Sequence, residues 1–299
     1  MRRILLLGKN GQAGWELQRS LAPLGQVLAL HSKSPDYCGD LKDLQGLAAT
    51  VQRFAPDVIV NAAAYTAVDK AESEPGQALR VNAEAPAVLA TEARKLNALL
   101  VHYSTDYVFD GQGDTPWQES DPVGPLSVYG TTKLQGEQAI QASGCAHLIL
   151  RTSWVYAARG NNFAKTMLRL AAERDSLNVI DDQFGAPTGA DLLADVTAHA
   201  IRAARLNPQL QGIYHLAAAG ETTWHRYARF VLEQAQAAGV ELKVASASVG
   251  AITTAAFPTP AKRPGNSRLN TQKLQNAFSL CLPEWQDGVA RMLKEILEK

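Results

Sequence analysis

The chain has 299 residues, 46% hydrophobic and 19% charged, which is enough to bury a large core, and its formal net charge is zero. No global field recruits nucleic acid or an anionic membrane surface, so any bound anion must be held by a local constellation. The three cysteines, Cys38, Cys145 and Cys281, lie far apart with no C-x-x-C pair, which argues against a disulfide framework or a zinc site.

In chain order, "MRRILLLG" opens with basic residues and a short apolar run that stops at Gly8 and Lys9. It is too short for a secretory h-region, and no later run approaches spanning length, so a soluble cytoplasmic protein with no membrane partner is expected. Residues 3–8 read as a buried strand, 14–25 as a helix ending at glycine, 26–31 as a second strand, 41–56 as a helix and 57–64 as a third strand. A helix is expected over 76–97, a strand over 98–109, a Pro- and Gly-rich loop, a helix carrying "VYGTTK", and a strand over 146–156. Runs apolar on both faces, alternating with helices, predict an α/β fold with a doubly wound parallel sheet, Rossmann-like, over residues 1–156. Beyond Tyr156 the pattern loosens into amphipathic helices at 161–174, 190–205 and 222–239, with one more strand at 212–220 returning to the sheet. Residues 157–299 are expected to form mainly a smaller substrate-binding region packed against the sheet domain, with a cleft between them.

Gly8, Gly11 and Gly14 follow the first strand and open the first helix, with Gln12 and Ala13 between the last two. Glycine there permits a tight turn and close approach of backbone amides to a pyrophosphate, which a helix N-terminus favours electrostatically. The spacing is G-x-x-G-x-x-G rather than G-x-G-x-x-G, so position, strand before and helix after, carries the dinucleotide reading. An acidic residue ending the second strand would bind adenosine ribose hydroxyls and repel a 2′-phosphate. The sequence instead offers His31, Ser32 and Lys33, with Asp36 only later. Ser32 or Lys33 suits a phosphate, which favours NADPH with NADH usable. Asp40 and Leu41 can cover the adenine, and the small residues of "NAAAYT" (61–66) suit backbone lying against a cofactor.

"HYSTDYVFDG" (102–111) ends a strand on the carboxyl edge, where ligands of doubly wound folds bind, and puts Thr105 and Asp106 at a cleft. Tyr129 and Lys133 then stand four residues apart on the following helix and share one face. A lysine ammonium one turn from a tyrosine favours its phenolate and brings its pKa toward the working range. A Thr105 hydroxyl would orient the carbonyl oxygen being protonated. Tyr-x-x-x-Lys alone is a weak signal; the order of glycine turn, Ser-Thr strand end and dyad is what strengthens it.

At these residues the sequence resembles the extended short-chain dehydrogenase/reductase family and, within it, the branch of dTDP-4-dehydrorhamnose reductases. "GKNGQAGWELQRSL", "VHYSTDYVFDG", "PVGPLSVYGTTKLQGE", "LRTSWVYA", "GNNFAKTMLRLA", "DDQFGAPTGADLLAD" and "RPGNSRLN" all match that branch in its order and span most of the chain. The resemblance implies reduction by NAD(P)H of the 4-keto group of dTDP-4-dehydro-L-rhamnose, the last step of dTDP-L-rhamnose synthesis for cell-surface polysaccharide. It implies that Gly11, Gln12 and Ala13 meet the pyrophosphate, that Asp40 and Leu41 line the adenine, and that Ala64, Tyr65 and Thr66 border cofactor and substrate. It further implies that Thr105 and Asp106 bind the sugar, Tyr129 donates the proton, Lys133 holds the ribose, and Trp154 contacts the substrate. Read from the residues alone, an aromatic at a strand end is more often core than ligand-facing.

Arg263 is the candidate for the sugar-nucleotide diphosphate, because guanidinium geometry suits bidentate phosphate contacts. Some relatives bind Mg²⁺ between two subunits through glutamates. Glu16 matches one such position, Asp191 is a shorter replacement at another, and Gln286 beside Asp287 stands at a third, which weakens the case for both the metal and a homodimer. Two rivals are an epimerase or dehydratase of the same fold and a non-catalytic binding subunit. Such dehydratases carry an Asp-Glu pair just after the Ser-Thr position, whereas here Tyr107 follows Asp106. Nothing of the reductase constellation is missing, which disfavours the binding subunit.

Overall fold

The computed structural model of the chain describes residues 1–298. Its centre is a six-stranded, all-parallel sheet built from β1 (Arg3–Leu7), β2 (Gln26–Leu30), β3 (Val58–Asn61), β4 (Leu99–Thr105), β5 (His147–Thr152) and β6 (Gly212–His215), in spatial order β2-β1-β3-β4-β5-β6. The chain steps from β1 to one side and returns to the other, so the carboxyl ends of β1 and β3 flank a topological switch point, where such sheets bind ligands.

Alternate residues of each strand feed opposite faces. Ile4, Leu6, Val58, Val60 and Val101 pack against Leu17 and Leu21 of α1 (Gln12–Leu21) and against Leu193 and Ile201 of α6 (Ala190–Leu206). Leu5, Leu7, Ile59, Leu100 and Ile149 pack against α2 (Leu44–Phe54), α3 (Ala85–Leu96) and α4 (Val128–Ser143). Burial on both faces is why these strands read as continuous apolar runs. The second half of the chain thus gives the sheet layer a covering helix, α6, as well as β6. The rest of that half, α5 (Phe163–Glu173), α7 (Trp224–Ala237) and α9 (Trp285–Leu297), gathers around Tyr227, Trp285 and Val289. Helix α8 (Gln272–Phe278) packs its Leu274 and Phe278 back onto the first face.

Three elements differ from the sequence pattern in ways that shape the site. The expected helix over 76–97 is interrupted by a π turn at Arg80–Glu84, just before Pro86, whose missing N–H cannot complete the α-helical ladder. The expected strand over 98–109 stops at Thr105, whose hydroxyl accepts from Tyr107 N at 3.2 Å and caps a short 3₁₀ turn, Asp106–Val108. The expected strand over 146–156 breaks after Thr152 because Trp154 adopts the left-handed region at φ 49°. Helix α9 has no counterpart among the expected elements. No helix among the described residues is long and apolar enough to cross a membrane.

Candidate active site

Helix α1 begins at Gly11 without a side-chain cap and without an acid in its first turn, so its leading N–H groups stay open to an anion. The turn needs glycine: a Cβ on Gly14 would lie 2.0 Å from the Gly8 carbonyl oxygen. Beside it opens a pocket of about 330 Å³ that gathers Gly8, Gly11, His31, Ser32, Asp40, Leu41, Ala64 and Tyr65 from the expected cofactor set. Asn10, Gly39, Lys42, Ala63 and Val81 complete its wall. The turn after β2 is closed by Ser34, whose hydroxyl accepts from His31 N at 3.0 Å, and it holds no carboxylate. The uncapped helix and the acid-free turn fit a dinucleotide diphosphate with an added phosphate.

Besides the dyad, five expected residues stand outside this wall, one of them Gly14, which is buried against Gly8. The Gln12 side chain leaves the pocket, donating to Val155 O at 3.3 Å and accepting from Asn162 Nδ2 at 3.2 Å, so it ties the glycine turn to the second half of the chain. Ala13 packs on the core beneath, while Lys33 and Thr66 are exposed outside the pocket wall.

The dyad is presented by α4, whose N-cap Ser127 accepts from Gly130 N at 3.2 Å. A Cβ on Gly130 would sit 2.2 Å from Tyr107 O, so only glycine lets this helix approach the end of β4. That approach sets Tyr129 edge-on to Tyr107, ring centroids 5.4 Å apart, and next to Thr105. Burial pushes the Tyr129 phenol up to about 12; a hydrogen bond with Thr105 opposes the shift and the charge of Asp106 adds to it. Lys133 is buried, with Nζ donating to Tyr103 O at 2.5 Å and lying 3.1 Å from His102 Nε2. Burial draws its pKa down to about 8, against the pull of Glu137. The sequence pattern predicts a phenol lowered by its lysine; instead desolvation sets the direction of both shifts, and the Lys133 Nζ is engaged by His102 and the backbone.

Thr105 donates to Asp106 Oδ1 at 3.0 Å, and burial raises the Asp106 carboxyl to about 6, with Ser267 and Thr105 opposing. Asp106 Oδ2 has no partner although it is buried. A cavity of roughly 850 Å³ opens among α5, α7 and the 252–263 loop, walled by Phe163, Met167, Gln183, Trp224, Phe257 and Arg263 among others. Arg263 donates to Asp69 Oδ2 at 2.6 Å and keeps a buried, unpaired Nε. Trp154 does not line the cavity; it stacks on Trp224 at 3.6 Å between centroids, one ring behind the wall.

Residues 1–298 match the family described as RmlD substrate binding domain. A curated dTDP-4-dehydrorhamnose reductase of Shigella flexneri is 61% identical over 98% of this chain and 97% of its own length. The chain belongs to the dTDP-4-dehydrorhamnose reductase family. Among solved structures, a dTDP-4-dehydrorhamnose reductase from Clostridium acetobutylicum superposes with a TM-score of 0.89 at 34% identity, over 99% of this chain and 100% of that one. Another, from Bacillus anthracis in complex with NADP, gives 0.86 at 32% identity, over 98% and 99%.

In this member of the dTDP-4-dehydrorhamnose reductase family Glu16 and Asp191 form no Mg²⁺ site within the chain. Asp191 Oδ2 accepts from Arg291 at 3.2 Å and Glu16 lies 3.6 Å from Arg19, so both carboxylates face cations of their own chain. Among the described residues no group of three or more His, Cys, Asp or Glu side chains is disposed to hold a metal. Four site residues escape the sequence reading: Asn61, Asn82, His102 and Tyr107. Asn82 sits in the π turn, where its Oδ1 accepts from Tyr65 N at 2.9 Å and its Nδ2 donates to Tyr65 O and Thr132 Oγ1, holding the pocket wall to α4. The one signal for it is a poor helix former in the middle of a helical pattern.

Proposed function

We propose that the chain is an NAD(P)H-dependent oxidoreductase of the cytoplasm that reduces the 4-keto group of dTDP-4-dehydro-L-rhamnose to give dTDP-L-rhamnose, a precursor of cell-surface polysaccharide such as O-antigen. One observation carries this reading: Tyr129 is linked to both cavities. Its ring packs on Tyr107, whose phenol lies within the field of Arg263 in the large-cavity wall, and through Lys133, His102 and Asn61 its helix reaches Ala63 of the glycine-turn pocket. A proton donor held there can meet a sugar that enters from one side and a cofactor that enters from the other.

When bound, the dihydronicotinamide supplies the hydride that reaches sugar C4. Tyr129 then gives its phenolic proton to the forming C4 alkoxide, and its raised pKa keeps that proton in place until the alkoxide develops. Lys133 offsets the phenolate left behind and would hold the nicotinamide ribose. The open amides of the first turn of α1, after Gly11, would take the pyrophosphate, and Asp40 and Leu41 would cover the adenine. Ser32, in a turn without an acid, supports NADPH over NADH. On the other side Asp106 would accept from a sugar hydroxyl through its unpaired Oδ2. Arg263 would exchange Asp69 for the diphosphate, and the aromatic wall backed by Trp154 would hold the base or sugar face.

The test is NADPH consumption with the dTDP-ketosugar as sole substrate. Oxidation at an enzymatic rate, with dTDP-L-rhamnose as product, is expected. No oxidation by folded protein shown to bind NADPH would overturn the reading.

A further inference from the structure

A buried polar chain runs beneath the dyad. Asn61 ends β3 and pairs in register with His102 on β4; both are 1% exposed, and Lys133 is 2% exposed. Asn61 Oδ1 accepts from the backbone N–H of Ala63 at 3.2 Å, which leaves its Nδ2 facing His102 Nδ1 at 3.1 Å. An amide N–H donates, so His102 Nδ1 must accept, and the imidazole proton is left on Nε2. Nε2 in turn faces Lys133 Nζ at 3.1 Å. A neutral amine can accept that proton while donating to Tyr103 O; an ammonium there would set donor against donor. Keeping the ammonium therefore requires His102 to change tautomer and the Asn61 amide to turn over, which breaks its bond to Ala63.

We propose that His102 is a positioning residue for Lys133: with its tautomer fixed by Asn61, it holds Nζ on the Tyr103 carbonyl and sets how readily the lysine takes a proton. Because Ala63 also walls the glycine-turn pocket, the lysine's charge is coupled to the backbone that borders the cofactor. Burial and the neighbouring lysine keep His102 well below its ordinary pKa, in keeping with a neutral ring. The titratable or charged groups around the pair are few. Glu137, one turn along α4, is bonded by Arg151 of β5 with a shortest contact of 2.7 Å. Tyr129 lies one turn back, with Asp106 behind it at the end of β4. Asn61 of β3, Asn82 of the π turn and Thr132 of α4 carry no charge.

Only the kinetic arm of the test rests on the reductase reading. Histidine-¹⁵N spectra of the ligand-free protein should show His102 neutral throughout, as the Nε2–H tautomer above the pH at which Lys133 titrates and as the Nδ1–H tautomer below it. A tautomer that does not change across that transition, or an imidazolium near neutral pH, would overturn the proposal whatever the protein catalyses. His102→Gln can turn a carboxamide oxygen toward Nζ and favour the ammonium. It should move the alkaline limb of the kcat profile up by about one pH unit, with thermal midpoint and NADPH affinity near the parent values. His102→Phe, which offers no partner, should lose about tenfold in kcat, with partial rescue in the glutamine variant. Profiles of both variants that superimpose on the parent would sink the idea. If neither variant folds, the tautomer measured in the parent chain decides alone.

Discussion

Thr105 Oγ1 donates to Asp106 Oδ1 at 3.0 Å, so the single proton of the threonine hydroxyl is committed to a buried carboxylate. The same oxygen accepts from Tyr107 N and is left to accept from the Tyr129 phenol. While Asp106 is an anion Thr105 therefore has no proton to spare, and it becomes free to donate to a ketone oxygen only when Asp106 is protonated or turns to the sugar.

Asp106 should make the fold less stable at neutral pH than in acid. Its carboxyl rises from 3.8 to about 6 on folding, so between those values the native state binds more protons than the unfolded chain. The stabilisation is fully present below pH 3.8 and is lost as pH rises through about 6. The full difference corresponds to on the order of 3 kcal/mol. Asp106→Asn, which mimics the neutral acid, should raise the denaturation midpoint at pH 7.5 and flatten its decline across the mildly acidic range, while raising KM for the ketosugar. A midpoint no higher than that of the parent at pH 7.5 would show that the carboxylate is not buried at such cost.

Tyr129→Phe should cut turnover by about 10² to 10⁴ with NADPH affinity nearly unchanged, because general acid catalysis contributes about that much. Measured kcat in the parent should hold through neutral pH and fall where Lys133 titrates, near 8. Steady-state rates and NADPH fluorescence titrations of both proteins check this, and a parental rate in the phenylalanine variant would remove Tyr129 from the mechanism.

The Arg151–Glu137 pair is buried and bidentate, with contacts of 3.0 and 2.7 Å. Glu137→Ala would leave a buried guanidinium unpaired and should cost about 3–5 kcal/mol in denaturant unfolding. It also removes the one charge that pulls Lys133 upward, so the alkaline limb of kcat should move to lower pH in whatever fraction folds. A loss below about 1 kcal/mol, the usual worth of an exposed pair, would mean that water reaches Arg151.

Ser32→Asp introduces the ribose-binding acid that this turn lacks. NADPH should then bind about tenfold more weakly, through repulsion of the 2′-phosphate, while NADH binding holds or improves. Competition binding with the two cofactors reads the ratio directly, and an unchanged ratio would place the phosphate away from Ser32.

The amino-acid pattern by itself determined the parallel sheet, because strands buried on both faces must be apolar throughout, and the dyad's shared face, because helical spacing is a local rule. The glycine turn was legible for the same reason: strand, tight turn and helix are contiguous in sequence. What only the tertiary structure decided depends on residues far apart in the chain. His102 becomes a partner of Lys133, and Asn61 a fixer of its tautomer, only when β3, β4 and α4 are stacked. The resemblance places Gln12 at the pyrophosphate, yet its side chain reaches Val155 and Asn162, about 150 positions away. The resemblance implies that Trp154 touches substrate, whereas the residue pattern alone favours core; its left-handed backbone and its stack on Trp224, which lines the cavity, depend on contacts the pattern does not contain. The pKa values follow the same division. Spacing sets Lys133 one turn from Tyr129, whereas the packing of the sheet around them removes water from both, and that desolvation pushes the phenol up and the ammonium down.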